Sequence, residues 1–214
     1  MVRSAEDSAA EDVVRLARDA AGAGVDLLQV RERLLTDASL SMLVERVVAA
    51  VERSRTAVLV NERVDLALAC GAHGVHLRGD ALQASRVRSV APEGFLIGRS
   101  VHSVAEARDA EADGGADYLI FGTVFRSRGK PAGHPVAGVE GLRDVCQAVR
   151  LPVIAIGGIE ISRIEEAARA GAAGIAAIGM FDDAASRGEI GRVVEQARRS
   201  FDTDEPWIQA SDPL

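Results

Sequence analysis

Residues 114–121 read GGADYLIF: two glycines, a short turn, then an apolar run long enough for one buried strand. The same order of helix end, glycine and apolar run recurs at AGAGVDLL (21–28), CGAHGVHL (70–77) and AGAAGIAA (170–177). Glycine supplies the left-handed turn that ends a helix, and an apolar run without polar alternation suits a strand covered on both faces. Repeated helix–glycine–strand units without hairpin signals imply right-handed crossovers between parallel strands.

Along the rest of the chain, strands are expected within VDLLQVR (25–31), TAVLVNE (56–62), GVHLR (74–78), FLIGRSV (95–101), DYLIFGTV (117–124), PVIAIGG (152–158) and GIAAIGM (174–180). The intervening segments have a helical period, and Ser103–Glu106 and Ser162–Glu165 have the spacing of a capping box. The pattern predicts an α/β fold, a (β/α)₈ TIM-type barrel, with an open doubly wound sheet as the alternative. The strands number seven rather than eight. The first 20 residues read as polar chain and then helix, so the first strand of such a barrel is missing from the N-terminus. An incomplete barrel exposes strand edges, which invites pairing between copies and makes a homo-oligomer an expectation. One barrel domain is assigned to residues 1–200, followed by a polar tail over 201–214 that carries Trp207.

Composition narrows the function. A net charge of −7 argues against a general binder of nucleic acid or membrane surfaces, which relies on basic fields. A local cluster of arginines can still hold an anion, so phosphorylated small molecules are the expected partners. No apolar run approaches the length of about 18 residues that a membrane span needs, and the N-terminus lacks the apolar core of a signal peptide. Cys70 and Cys146 stand far apart in apolar or helical contexts, which fits a reduced, cytoplasmic setting.

In such a barrel the functional groups gather after the carboxyl ends of the strands. Those positions hold, in order, Gln29, Arg31 and Arg33; Asn61 and Glu62; Asp80; Ser100; Ser127 and Lys130; Gly157 and Gly158; and Gly179. Lys130 is the single lysine among 25 basic residues. The cations and amides suit acceptor oxygens, two carboxylates suit a hard cation such as Mg²⁺, and glycine-rich strand ends let main-chain N–H groups approach a phosphate. Taken singly, each feature has a plain reading: Arg31-Glu32-Arg33 as solvated surface, Asn61 as a helix cap, Ser100 as a strand end. Their joint placement carries the functional reading. Among the histidines, His73 reads as a turn residue and His76 as strand packing, while His102 and His134 lie in loops; no pair has zinc-site spacing.

Six stretches, in order, resemble motifs of the thiamine phosphate synthase / thiazole tautomerase family over about residues 12–182. They are LLQVRER (27–33), LVNERVDLALACGAHGVHLRGD (59–80), IGRSVHS (97–103), GADYLIFGTVFRSRGK (115–130), LPVIAIGGI (151–159) and AGAAGIAAIGMF (170–181). The resemblance implies a transferase that joins hydroxymethylpyrimidine diphosphate to a thiazole phosphate and releases pyrophosphate. It implies diphosphate contacts from Arg31, Arg33, Asn61 and Lys130, with Mg²⁺ held by Glu62 and Asp80. Gln29 and Ser100 would border the pyrimidine, and Ser127, Gly129, Gly157, Gly158 and Gly179 would hold the thiazole phosphate. Lys130, Arg31 and Ser100 are the expected catalytic residues.

The chain departs from the family pattern in places. Glu62 stands for an aspartate, Arg33 for a lysine and Gly179 for a common serine, and HLRGD reaches its aspartate one residue early. Two other readings remain: the tautomerase branch, whose histidine is Thr123 here, and a non-catalytic relative that binds a phosphate ligand.

Overall fold

The computed structural model describes residues 5–126, 133 and 135–201. Seven parallel strands form one sheet in chain order: β1 (Leu27–Val30), β2 (Ala57–Asn61), β3 (Gly74–Leu77), β4 (Leu96–Val101), β5 (Tyr118–Phe121), β6 (Val153–Ile156) and β7 (Gly174–Ala176). Helices alternate with them: α1 (Ala5–Gly22), α2 (Asp37–Val51), α3 (Val64–Ala69), α4 (Ala84–Arg88), α5 (Val104–Asp113), α6 (Gly138–Ala148) and α7 (Ile164–Arg169), then α8 (Gly179–Ser186) and α9 (Ile190–Phe201) after β7. This is the TIM-type α/β architecture expected from the repeat, and each expected strand is present in a shortened form. The largest proportional shortening is in GIAAIGM, where β7 ends at Ala176 and Gly179 already opens α8.

Side-chain alternation sorts the strands into two faces. Val58 and Val60, Val75 and Leu77, and Ile97 point outward into an apolar layer shared with the helices. Leu119 and Phe121, with Val153 and Ala155, do the same in a second layer. The opposite parity, Leu27, Leu59, Leu96, Tyr118, Ile120, Ile154, Ile156 and Ala176, packs inside the curl of the sheet. That interior parity, followed toward the carboxyl ends, reaches the candidate functional residues.

At the opposite end, Arg88 fastens the starts of β4 and β5. Its guanidinium donates to the Phe95 carbonyl (2.6 Å), the Gly115 carbonyl (3.0 Å) and Asp117 (2.6 Å), and Asp117 also accepts from the Ile97 N–H (2.7 Å). No ladder joins β1 to β7 among the described residues. Helices α1 and α9 meet near these two edges: Leu16, Ala23 and Val25 pack on Ile190, Val193 and Val194. Arg198 donates to Asp26 (2.9 Å) and to the Gly24 carbonyl (2.6 Å).

The two capping boxes fare differently. Ser103 caps α5 by accepting from the Glu106 N–H (3.1 Å), and Glu106 reaches back to the His102 N–H (2.9 Å). Ser162 instead lies within a short 3₁₀ turn, Ile161–Arg163, that runs into α7 with no side-chain cap. The turn places Arg163 over the Phe125 ring, 4.5 Å from its centroid, an alternative use of the same segment. Both cysteines are free and half-buried. No described helix is long and apolar enough to cross a membrane. The tail beyond residue 201, Trp207 included, lies outside the described residues.

Candidate active site

The interior parity continues upward as Gln29 and Arg31 on and after β1, Asn61 on β2, His76 and Arg78 on and after β3, Ser100 on β4 and Gly122 after β5. These residues line one cleft of about 1270 Å³ at the carboxyl ends of the strands. Asp80, Gly157, Gly158 and Gly179 line it as well. Eight sequence candidates therefore share one cavity: Gln29, Arg31, Asn61, Asp80, Ser100, Gly157, Gly158 and Gly179. Glu62 joins the rim through Arg78, and Arg33 is exposed outside the lining. Ser127, Gly129 and Lys130, with His134, lie outside the described residues.

The floor is built around a missing side chain. His76, Gly98 and Tyr118 are aligned across three neighbouring strands. A Cβ on Gly98 would stand 2.2 Å from the Tyr118 hydroxyl and 2.5 Å from His76 Nδ1. Glycine thus lets the two rings meet, with His76 Nδ1 3.3 Å from the Tyr118 hydroxyl and Nε2 2.8 Å from Ser100 Oγ. Burial, reinforced by the Arg31 and Arg99 guanidinium groups, lowers the His76 pKa to about 4. The imidazole is therefore neutral at pH 7 and acts as a hydrogen-bonding prop for Ser100. Burial and then the Asp117 carboxylate raise the Tyr118 phenol, which stays protonated. His73 plays the structural part expected of it, accepting from the Val58 N–H at 3.0 Å.

One rim is a polar chain. Gln29 Nε2 donates to Asn61 Oδ1 (2.8 Å), and Asn61 Nδ2 donates to Glu62 Oε2 (3.2 Å). Glu62 adopts a left-handed backbone (φ 61°) that turns it from the strand direction into the rim. Arg78 Nε lies 2.9 Å from Glu62 Oε1. The same guanidinium makes a two-pronged contact with Asp80, at 3.1 Å from Nε and 3.0 Å from Nη2. Arg99 holds the Gly79 and Leu82 carbonyls (2.9 and 2.6 Å), which fixes the loop carrying Asp80. Arg63, by contrast, is occupied by Asp37 and Asp65.

The other rim is a glycine cradle. Val124 and Phe125 N–H groups donate to the Ile156 and Gly157 carbonyls (both 2.9 Å), laying the chain after β5 along the end of β6. This close approach needs Gly158: a Cβ there would stand 2.5 Å from the Arg126 carbonyl oxygen, at φ 63°. Gly157 is similarly confined by Thr123. Gly179 opens α8, so the helix N-terminus with its unpaired N–H groups faces the cradle.

The carboxylates expected to hold Mg²⁺ are both engaged by Arg78. Mg²⁺ demands oxygen ligands in close octahedral array, which a carboxylate pair bridged by a guanidinium does not offer. No group of three or more His, Cys, Asp or Glu suited to a metal occurs among the described residues. The arrangement does not fit a Mg²⁺ site.

Several cleft residues escape a reading of the sequence alone, three of them beside the assigned groups. His76 reads as strand packing, and no motif assigns Arg78 or Arg126, although all three line the cleft. A usable signal exists in the parity: His76 and Arg78 continue the interior alternation of β3, and a glycine in mid-strand marks space for neighbours.

Comparison with known proteins agrees with this geometry. The family model described as thiamine monophosphate synthase matches residues 1–181. The thiamine-phosphate synthase of Methanoculleus marisnigri is 39% identical over 163 residues, covering 76% of this chain and 77% of that protein. The Anaeromyxobacter dehalogenans thiamine-phosphate synthase is 41% identical over 169 residues, 78% of this chain and 74% of that one. The structure of thiamine phosphate pyrophosphorylase from Pyrococcus furiosus superposes with a TM-score of 0.74 at 31% identity, covering 88% of this chain and 89% of that one. A 3-hexulose-6-phosphate synthase at 20% identity and a TM-score of 0.68 shares the fold alone. With its barrel, its cleft and its ordered motifs, the chain belongs to the thiamine monophosphate synthase family.

Proposed function

We propose that this chain joins hydroxymethylpyrimidine diphosphate to a thiazole phosphate, forming thiamine phosphate and releasing pyrophosphate. The observation that carries the reading is one cleft with an arginine- and amide-lined rim on one side and a glycine cradle at a helix N-terminus on the other. Two phosphorylated substrates with their reacting ends between the rims fit such a division, and relatives at about 40% identity bear the name thiamine-phosphate synthase.

The reaction asks little of acids and bases. The bond from the pyrimidine methylene to the diphosphate oxygen breaks, and pyrophosphate departs with the electron pair. The thiazole nitrogen then donates its lone pair to the cationic carbon. Rate enhancement comes from stabilising charge on the leaving group and aligning the two partners. Arg31, Asn61 and Lys130 take the diphosphate; Arg33, outside the cleft lining, is left out of that set. Lys130, a compact ammonium on a flexible stem, suits a charge that moves as the leaving group departs. Ser100, propped by His76, borders the pyrimidine with Gln29. Main-chain N–H groups at Gly157, Gly158 and Gly179 hold the thiazole phosphate together with Ser127 and Gly129. Thr123 lines the cleft where the tautomerase branch carries a histidine, which favours the synthase reading. The partners are then phosphorylated small molecules.

Steady-state kinetics test the assignment. Arg31→Ala and Lys130→Ala are each expected to lower kcat/KM at least about 100-fold, a loss of about 2.7 kcal/mol of transition-state stabilisation. Unchanged kcat/KM in both would remove the cations from the reaction.

A further inference from the structure

Arg78 occupies an unusual place. It follows β3 directly, lines the cleft, and contacts two carboxylates from different loops, Glu62 at 2.9 Å and Asp80 at 3.0 Å. Its hydrogen bonds among the described residues come from Nε and Nη2, and none comes from Nη1. The carboxylates are not idle surface charges: Glu62 is tied to Asn61 and through it to Gln29, and the Asp80 loop is pinned by Arg99. The rim is thus a fixed frame with one cation at its centre.

We infer that Arg78 is the resident cation of this site, standing between Glu62 and Asp80 in place of a protein-bound divalent metal. The inference rests on the synthase reading for its substrate, a diphosphate, and on the geometry alone for its metal prediction. A guanidinium between two carboxylates leaves the trio with one net negative charge, and Nη1 remains to meet a diphosphate oxygen. A divalent ion binding the same carboxylates would compete with Arg78 for their oxygens, since the guanidinium already contacts Glu62 Oε1 and both oxygens of Asp80. It would also meet the repulsion of the nearby displaced charge. The exposed ion pairs are individually weak, but losing both and crowding two cations lowers metal affinity by about tenfold or more.

The test is a Mn²⁺ titration of the substrate-free protein, read by electron paramagnetic resonance, for the unaltered chain, Arg78→Gln and Glu62→Gln/Asp80→Asn. Arg78→Gln is expected to bind Mn²⁺ at least tenfold more tightly than the unaltered chain, with binding lost in the double variant. Equal affinity in the unaltered chain and Arg78→Gln, abolished in the double variant, would overturn the inference. Should Arg78→Gln fail to fold, tight binding to the unaltered chain, saturating at micromolar Mn²⁺ and lost in the double variant, would do the same.

Turnover supplies a second readout. From excess chelator to millimolar Mg²⁺, the unaltered chain should change less than about threefold and Arg78→Gln should gain at least tenfold. Equally steep dependence in both contradicts the inference. Because the titration contains no substrate, its result for Arg78 stands even where the synthase reading fails.

Discussion

Gly158 and Gly179 stand in the same cradle and should answer substitution in opposite ways. At Gly158 a Cβ would press to 2.5 Å on the Arg126 carbonyl and occupy a left-handed backbone. Gly158→Ala is therefore expected to cost about 1–3 kcal/mol in urea unfolding, or to push the chain after β5 away from β6. At Gly179 a Cβ meets nothing within 4 Å, so Gly179→Ser should leave stability within about 0.5 kcal/mol. His76 makes a pH-dependent prediction as well. Its pKa falls from 6.5 to about 4 on folding, so below pH 6.5 the unfolded chain takes up a proton that the folded chain refuses. The stability His76 contributes is complete above pH 6.5 and lost as pH falls toward 4. Urea titrations should show the unaltered chain losing about 2 kcal/mol more than His76→Gln between pH 6.5 and 4.5. Parallel losses would mean that His76 is solvated and can protonate in place.

Among the secondary-structure elements, stability and chemistry occupy opposite ends of the strands, as the barrel architecture leads one to expect. Arg88, on the five-residue α4, ties the starts of β4 and β5 through three oxygens. Arg88→Ala is expected to lower stability by about 2 kcal/mol in urea unfolding while leaving KM for both substrates unchanged, because it lies away from the cleft. A raised KM at unchanged stability would overturn that division. The strands are legible in the sequence because their outer parity and apolar runs report burial on two sides, and helix ends because glycine marks them. The strand ends are less legible: GIAAIGM is apolar throughout, and hydrophobicity alone gives no sign of where β7 yields to the first turn of α8. Ser162 shows the same limit, since capping-box spacing cannot tell an α-helical start from a 3₁₀ turn.

Across the barrel, seven parallel strands curl far enough to bring groups from β1 and β6 into one cavity without a ladder between β1 and β7 among the described residues. Helices α1 and α9 meet by the two edges through an apolar patch and the Arg198–Asp26 pair. Most of the candidate site is readable because its residues sit after successive strands, a one-dimensional regularity. What the sequence withholds is relational: that His76 props Ser100 through space opened by Gly98, and that Arg78 sits between Glu62 and Asp80. Both depend on side chains meeting across strands, for which spacing along the chain supplies no rule. The expectation of a metal between those carboxylates comes from their residue type and placement and from the resemblance, and Arg78 is the departure that changes its meaning.

The substrate contacts assigned in the cleft depend on the condensation itself, and joint quantification of thiamine phosphate and pyrophosphate is its direct test. Purified protein is supplied with hydroxymethylpyrimidine diphosphate and a thiazole phosphate, and both products are followed over time. Equal amounts of the two, appearing together and strongly reduced in Arg31→Ala and Lys130→Ala, are the expected result. Absence of thiamine phosphate from folded protein, with and without added Mg²⁺, would refute the proposed reaction.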